Sequence, residues 1–432
     1  MSDVFTGTTY CNHRSAGPLP AASLETRGFP GEEGAKMRKL GNGSAASWTR
    51  STRMKWRGVG LILLLIALGQ GPASASAGAA NLAPKQSKEL VQEEAEVSAE
   101  VAAALVAVDV AERAVADEAP APPAQAVRAD RFFEHRDAPI RRALSRGDVA
   151  EVRRGHGGRS LSFRVTLDDG TEGYFKPAQS FNGMNWTAEI AAYHLDRELG
   201  FGRTAPSVAR ALPHDALAAV ASSDARVDEL RPGADGTIEG AFIWWVPERL
   251  RPVALPDGWE RWLLIEGEPP EISPFQRPGA YRRARAAGRT RTVPAAPEPD
   301  VADRPAEMSD LIVFDYLSHN LDRWGGNNTN IRTIGEGGPL MFLDNAAAFT
   351  LGRARIPLMD RRLRQVQRFR RSTVDAVRSL DVDAYQARLA EDPLAPTLDP
   401  RQLRNLEARR QFLLAHVDAL VERHGEEAVY VW

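Results

Sequence analysis

Leu161-Ser162-Phe163-Arg164-Val165-Thr166-Leu167-Asp168-Asp169-Gly170-Thr171-Glu172-Gly173-Tyr174-Phe175-Lys176-Pro177 reads as two strands joined by a tight turn. Apolar and polar side chains alternate over 161–167, the pattern of a half-buried strand, and Asp-Asp-Gly is a hairpin turn. Residues 171–176 are the return strand. It delivers Lys176, the only lysine after residue 88 in a chain with 55 Lys plus Arg. Arginine does not replace lysine where a compact ammonium meets phosphate oxygens as a point charge. Lys176 is therefore a candidate phosphate ligand, against the plainer alternative of a surface lysine with a buried stem.

Working outward, Arg154-Gly155-His156-Gly157-Gly158-Arg159 forms a glycine-rich turn ahead of the first strand. Residues 185–199 read as a helix that stops at Gly200. Further strands are expected at 205–211 and 238–246. Residues 251–305 are rich in Pro, Arg and Gly and read as an irregular insertion, with a helical stretch at 259–265. A helix at 309–317 is expected to be capped by Ser309 or Asp310. Residues 340–343 form a short buried strand leading into Asp344, and 354–432 are mostly helical. Strands come first and helices follow, which predicts an α+β fold of two lobes, a β-rich N-lobe (127–250) and a mostly helical C-lobe (306–432), with a cleft between them.

Phosphoryl transfer calls for a fixed set of parts, and the chain offers each in order. Gly155, Gly157 and Gly158 lack side chains that would hold phosphates off the backbone, though such glycines also make ordinary turns. Glu189 lies 13 residues after Lys176 in the following helix, placed to hold the ammonium or merely to complement the helix dipole. Asn320-Leu321-Asp322-Arg323-Trp324-Gly325-Gly326-Asn327 interrupts an apolar helix with polar residues and paired glycines. Asp322 and Asn327 stand five apart, so Asp322 would orient the attacking hydroxyl and Asn327 would hold a metal. Asp344 comes 22 residues after Asp322 as a second metal ligand, since Mg²⁺ takes one or two carboxylates together with substrate phosphate. No P-loop, nucleophile-elbow or zinc-protease motif is present, and the eight histidines show no ligand spacing. His156, His194 and His319 read as structural or loop residues.

A net charge of −2 without a long basic run gives no footprint for nucleic acid. Met54-Lys55-Trp56-Arg57, the apolar run over 59–68 and Ala73-Ser74-Ala75-Ser76-Ala77 have the layout of a signal peptide, 54–77. Residues 1–53 then read as an upstream over-call or disordered extension. The alternative is a genuine extension with an uncleaved anchor, which would be the chain's one link to a membrane. Residues 78–126 read as an Ala/Glu-rich helical stalk and a Pro/Ala linker. The lone Cys11 precedes the leader, so the exported part has no disulfide.

Tyr174-Phe175-Lys176-Pro177, the run from Trp186 to Leu195, the run from Asp310 to Leu317, Asn320-Leu321-Asp322-Arg323 and Phe342-Leu343-Asp344-Asn345 resemble the secretory-pathway kinases, the family of four-jointed and the Golgi casein kinase. Residues 368–374 resemble a C-lobe segment of four-jointed. The resemblance spans about residues 150–380. It implies an atypical protein-kinase fold that uses ATP with Mn²⁺ or Mg²⁺ and phosphorylates Ser/Thr hydroxyls of exported proteins, or a glycan in some relatives. Lys176, Glu189, Asp322 and Asp344 fall on its motif positions, and Asn327 on the wider kinase pattern. Two departures stand out: no cysteine follows Cys11, and Asn345-Ala346 replaces Asn-Gly. The disulfide-free, exported form implies a bacterial relative. Three readings follow: an exported protein kinase, a glycan or small-molecule kinase on the same fold, and an inactive nucleotide-binding pseudokinase. Acceptor and oligomeric state are left open.

Overall fold

The hairpin forms as its alternation predicts. In the computed structural model, which describes residues 130–432 apart from 156–157, 182–184, 326–329, 391, 393 and 395–397, a short ribbon β1 (Arg131–Phe132) and β2 (His135–Arg136) leads into helix α1 (Asp137–Arg146). Strands β3 (Val149–Arg154), β4 (Phe163–Leu167) and β5 (Glu172–Pro177) follow, then helix α2 (Trp186–Glu198) and strand β6 (Ser207–Pro213). Helix α3 (His214–Val220), a 3₁₀ turn (Ala225–Glu229) and β7 (Thr237–Trp244) complete the N-lobe. The five-stranded antiparallel sheet runs β3-β4-β5-β7-β6. The expected signal segment, stalk and linker, and Cys11, lie outside the described residues.

The two sheet faces have different tasks. Phe163, Val165, Leu167, Phe175 and Phe242 point to one side and form a core with Leu144 of α1 and Leu217 of α3. On the other side the small Ala209 and Ala241 receive Ile190 of α2. Lys176 pairs with Ala241 across β5 and β7, and alternation puts it on the side opposite Phe175, the side of α2. Asn185 caps α2 by accepting the Thr187 N–H, and Gly200 at φ +67° follows its end.

The second lobe is built on helix α5. A small sheet of β8 (Leu250–Pro252), β9 (Arg332–Ile334) and β10 (Leu340–Met341) lies at its edge. Helix α4 (Pro278–Ala286) precedes α5 (Arg304–Ser318), and α6 (Ile356–Leu363), α7 (Arg371–Arg378), α8 (Val382–Leu389), α9 (Pro400–His424) and α10 (Glu426–Val429) follow. α5 starts at Arg304, five residues before the expected caps. Pro305 sits in its first turn, where a missing N–H costs nothing. Ser309 and Asp310 are buried inside the helix and turn outward to other elements: Ser309 donates to the Arg368 carbonyl, and Asp310 accepts from Thr373 and Arg370. Within 251–305 the aromatics are core. Trp259 stacks on Trp324 at 5.7 Å and Phe275 packs against both, within one cluster that includes the apolar residues of α5.

Candidate active site

Lys176 Nζ lies 2.5 Å from Glu189 Oε1 and 2.7 Å from Asp344 Oδ1. Residues separated by up to 168 positions thus meet at one ammonium. Burial disfavours the charge on Lys176, but Asp344 and Glu189 outweigh that and push its pKa far above the ordinary value. In turn the Lys176 charge holds Asp344 below the usual carboxylate range against its burial. Glu189 Oε1 also accepts the Asn345 N–H at 3.0 Å, tying α2 to the segment after β10. Asp344 has φ +58°, a conformation that side-chain-bearing residues seldom adopt and that aims this carboxylate at the lysine.

Asp322 is placed by its neighbours. Its N–H donates to Asn320 Oδ1 at 3.1 Å, and Asn320 Nδ2 donates to the Asp344 carbonyl and to Asn345 Oδ1. The Asp322 and Asp344 segments therefore hang on one buried amide side chain. A Cβ on Gly325 would fall 2.5 Å from Asp322 Oδ1, so only glycine lets the loop close beside that carboxylate. Partial loss of hydration, then the charge of Asp344, push the Asp322 carboxyl up, while Arg277 and Arg323 pull against them. Arg323 is fully buried. It donates to Asp315, to the Leu343 carbonyl and to Asn345 Oδ1, bracing the Asp322 loop, α5 and the Asp344 segment together.

The expected glycine cradle is only partly as read. The Gly155 N–H donates to the Ser162 carbonyl at 2.7 Å, closing the β3–β4 hairpin, so it is spent and cannot serve a phosphate. Gly158 is exposed with φ +72°, and Gly157 lies outside the described residues, as do His156 and Asn327. What holds this loop is Arg226, which donates to the carbonyls of Gly158, Arg159 and Ser160 and is itself paired with Asp224. Arg226, Asn320 and Arg323 are the residues that motif reading missed. For the last two the sequence signal is their place in the run Asn320-Leu321-Asp322-Arg323, which assigns them no role, and Arg226 carries none. Beside the loop a cavity of about 160 Å³ is lined by Lys176, Gln179, Phe181, Asn185, Trp186 and Ala346.

The residues fit a divalent cation. Lys176, Glu189, Asp344 and Asp322 sum to −2 when all are ionised, and the donors are hard oxygens. Among the described residues no three His, Cys, Asp or Glu side chains gather as a self-sufficient metal cage. A Mg²⁺ or Mn²⁺ ion that shares its shell with phosphate oxygens needs only one or two carboxylates.

His319 closes the turn after α5 at φ +55°. Its Nδ1–H donates to the Thr350 carbonyl, and its buried Nε2 has no hydrogen-bond partner. Burial, then Arg409, lower its pKa from 6.5 to about 4. The folded state thus resists a proton that the unfolded chain accepts below pH 6.5. This contribution is fully present above pH 6.5 and is lost as pH falls toward 4, worth about 3 kcal/mol by linkage. His319→Asn, a residue that tolerates positive φ, is expected to show a shallower loss of stability over pH 6.5–4 in denaturant melts. An unchanged slope would refute this role for His319.

An antiparallel N-lobe sheet with α2 on the face that carries Lys176, a helical C-lobe, and a Lys–Glu–Asp junction between them define a protein-kinase-like α+β fold. Solved structures share it: the Golgi casein kinase with Mn/ADP bound (TM-score 0.50, 20% identity, 67% of this chain and 77% of that one) and hydra Fam20 with sugar (TM-score 0.51, 22% identity, 70% and 95%). Residues 288–429 match the family model for the Golgi casein kinase C-terminal region, Fam20. The chain is 27% identical over 325 residues to the glycosaminoglycan xylosylkinase of Danio rerio, covering 67% of this chain and 76% of that protein. It is 26% identical over 275 residues to pseudokinase FAM20A of Mus musculus, covering 56% of this chain but 48% of that one. Over residues 288–429 the chain is thus similar to the C-terminal region of the Fam20 proteins, and more widely to the xylosylkinase relative.

Proposed function

We propose that the protein is an exported ATP-dependent phosphotransferase that moves the γ-phosphate to hydroxyl groups, those of Ser/Thr in exported proteins. The observation that carries this reading is the three-way meeting of Lys176, Glu189 and Asp344 with Asp322 close enough to feel the Asp344 charge. Lys176 would neutralise phosphate oxygens while Glu189 holds it. Asp344, with Asn327, would carry Mg²⁺ or Mn²⁺, which supplies charge neutralisation at the phosphates. Asp322 would accept the proton of the attacking hydroxyl as its oxygen bonds to the γ-phosphorus and the bond to the β-phosphate oxygen breaks. Catalysis of this kind rests on positioning and electrostatics.

A second reading has its own support: the relative of which the chain covers 76% is a glycosaminoglycan xylosylkinase, so the acceptor would be a sugar hydroxyl. Incubating the purified protein with labelled ATP and Mn²⁺ against acidic peptides, glycans and itself separates the two. Arg277 lies close enough to act on Asp322, and exposed Arg282 and Arg283 follow it on α4, so acidic peptides are expected to be the better peptide acceptors. A thermal shift on adding ATP and Mn²⁺ without transfer to any acceptor would instead favour a nucleotide-binding pseudokinase.

A further inference from the structure

We propose that α8, together with Asp392, is a built-in clamp that holds α2 where Glu189 meets Lys176. The segment engages α2 along one stripe. Tyr385, fully buried, donates from its hydroxyl to the Ala191 carbonyl at 2.7 Å. Asp392 Oδ2 meets His194 Nε2 at 2.7 Å, and Arg388 donates to Glu198 at 3.3 Å. Ala191, His194 and Glu198 are spaced i, i+3 and i+7, one face of a helix. Glu189 sits two residues before Ala191, some 200° round the helix, so the grip is applied from behind the ion pair.

The clamp also anchors to the N-lobe beyond α2. Asp392 accepts from Arg141 of α1 at 2.7 Å and from the Ala209 N–H of β6, and Arg388 pairs with Asp130. His194 Nδ1 is buried without a hydrogen-bond partner, which leaves Nε2 as the donor to Asp392. In protein kinases the Lys–Glu pair must be in place for transfer, and the position of its helix is the usual point of control. Here that helix is fastened by the chain's own C-terminal half. Tyr385, His194 and Asp392 are thereby positioning residues for the reaction inferred above.

Lys176 is the only lysine after residue 88, so its acylation reads the ion pair directly and needs no turnover. The full-length protein would be treated with an amine-acylating ester and Lys176 followed by peptide mass spectrometry, with the earlier lysines as internal standards. Tyr385→Phe removes one hydroxyl and Asp392→Asn one charge. Each is expected to speed Lys176 acylation by about tenfold, the effect of losing one buried hydrogen bond, as Glu189→Gln should in direct fashion. Amide exchange of Pro400–His424 should stay unchanged. Unaltered acylation in both clamp variants overturns the proposal, as does acceleration accompanied by faster exchange throughout Pro400–His424. If acylation responds as stated but the wild-type protein binds no nucleotide, the phosphotransferase reading fails and the clamp stands.

Discussion

Asp322→Asn is expected to lower the turnover number by about 10²–10⁴-fold, the range for loss of a general base, while the thermal shift with ATP and Mn²⁺ persists. The asparagine keeps the shape that Gly325 accommodates and the backbone bond to Asn320 Oδ1, so the loop geometry survives. What it loses is the ability to take a proton. The wild-type carboxyl is raised by lost hydration and by Asp344, which moves a carboxylate toward useful basicity. Activity should therefore fall as pH drops through a point above the ordinary aspartate range, and that acidic limb should be absent from the residual activity of the variant. Turnover within a few-fold of wild type would remove Asp322 from the mechanism.

The sequence makes the N-lobe legible because its strands alternate and its turns use residues with few alternatives. Asp-Asp-Gly between two alternating runs leaves little choice of pairing, and Asn185 with Gly200 brackets α2 by local chemistry. α5 is less legible at its start. The caps suggested by Ser309 and Asp310 are overruled by tertiary partners, Arg368, Arg370 and Thr373, that lie about 60 residues away and leave no local trace. Trp259 looks like part of an irregular insertion because the ring it stacks on, Trp324, is distant in the chain.

Within the site, the residues with a direct chemical use are readable and those that brace them are not. Lys176, Glu189 and Asp344 have one plausible use each once brought together, and the structure brings them within hydrogen-bonding distance. Asn320 and Arg323 do their work by bridging segments, which no spacing rule encodes. Gly155 illustrates the reverse error. A glycine ahead of a strand suggests phosphate contact, but a β-hairpin consumes the same N–H, and whether the amide is free depends on the register with Ser162.

Lys176→Arg tests the oddity that sets this chain apart, since arginine fills every other basic position from 89 to 432. The charge is conserved and the protein should fold, because a guanidinium can still pair with the buried Glu189 and the half-buried Asp344. The geometry is not conserved. Lys176 presents a single small ammonium 2.5 Å from Glu189 and 2.7 Å from Asp344, with a side chain only 13% exposed. A planar fork is longer and wider, binds a carboxylate side-on, and would stay engaged with Glu189 and Asp344 instead of turning to phosphate oxygens. The expected result is a loss of about 10²–10³-fold in kcat, the scale for removing one preorganised electrostatic contact, with an intact melting transition. Steady-state transfer from labelled ATP and a denaturant melt measured together decide it. Near-wild-type transfer by the arginine variant would mean that the point charge is not needed, and the phosphate role of residue 176 would fall with it.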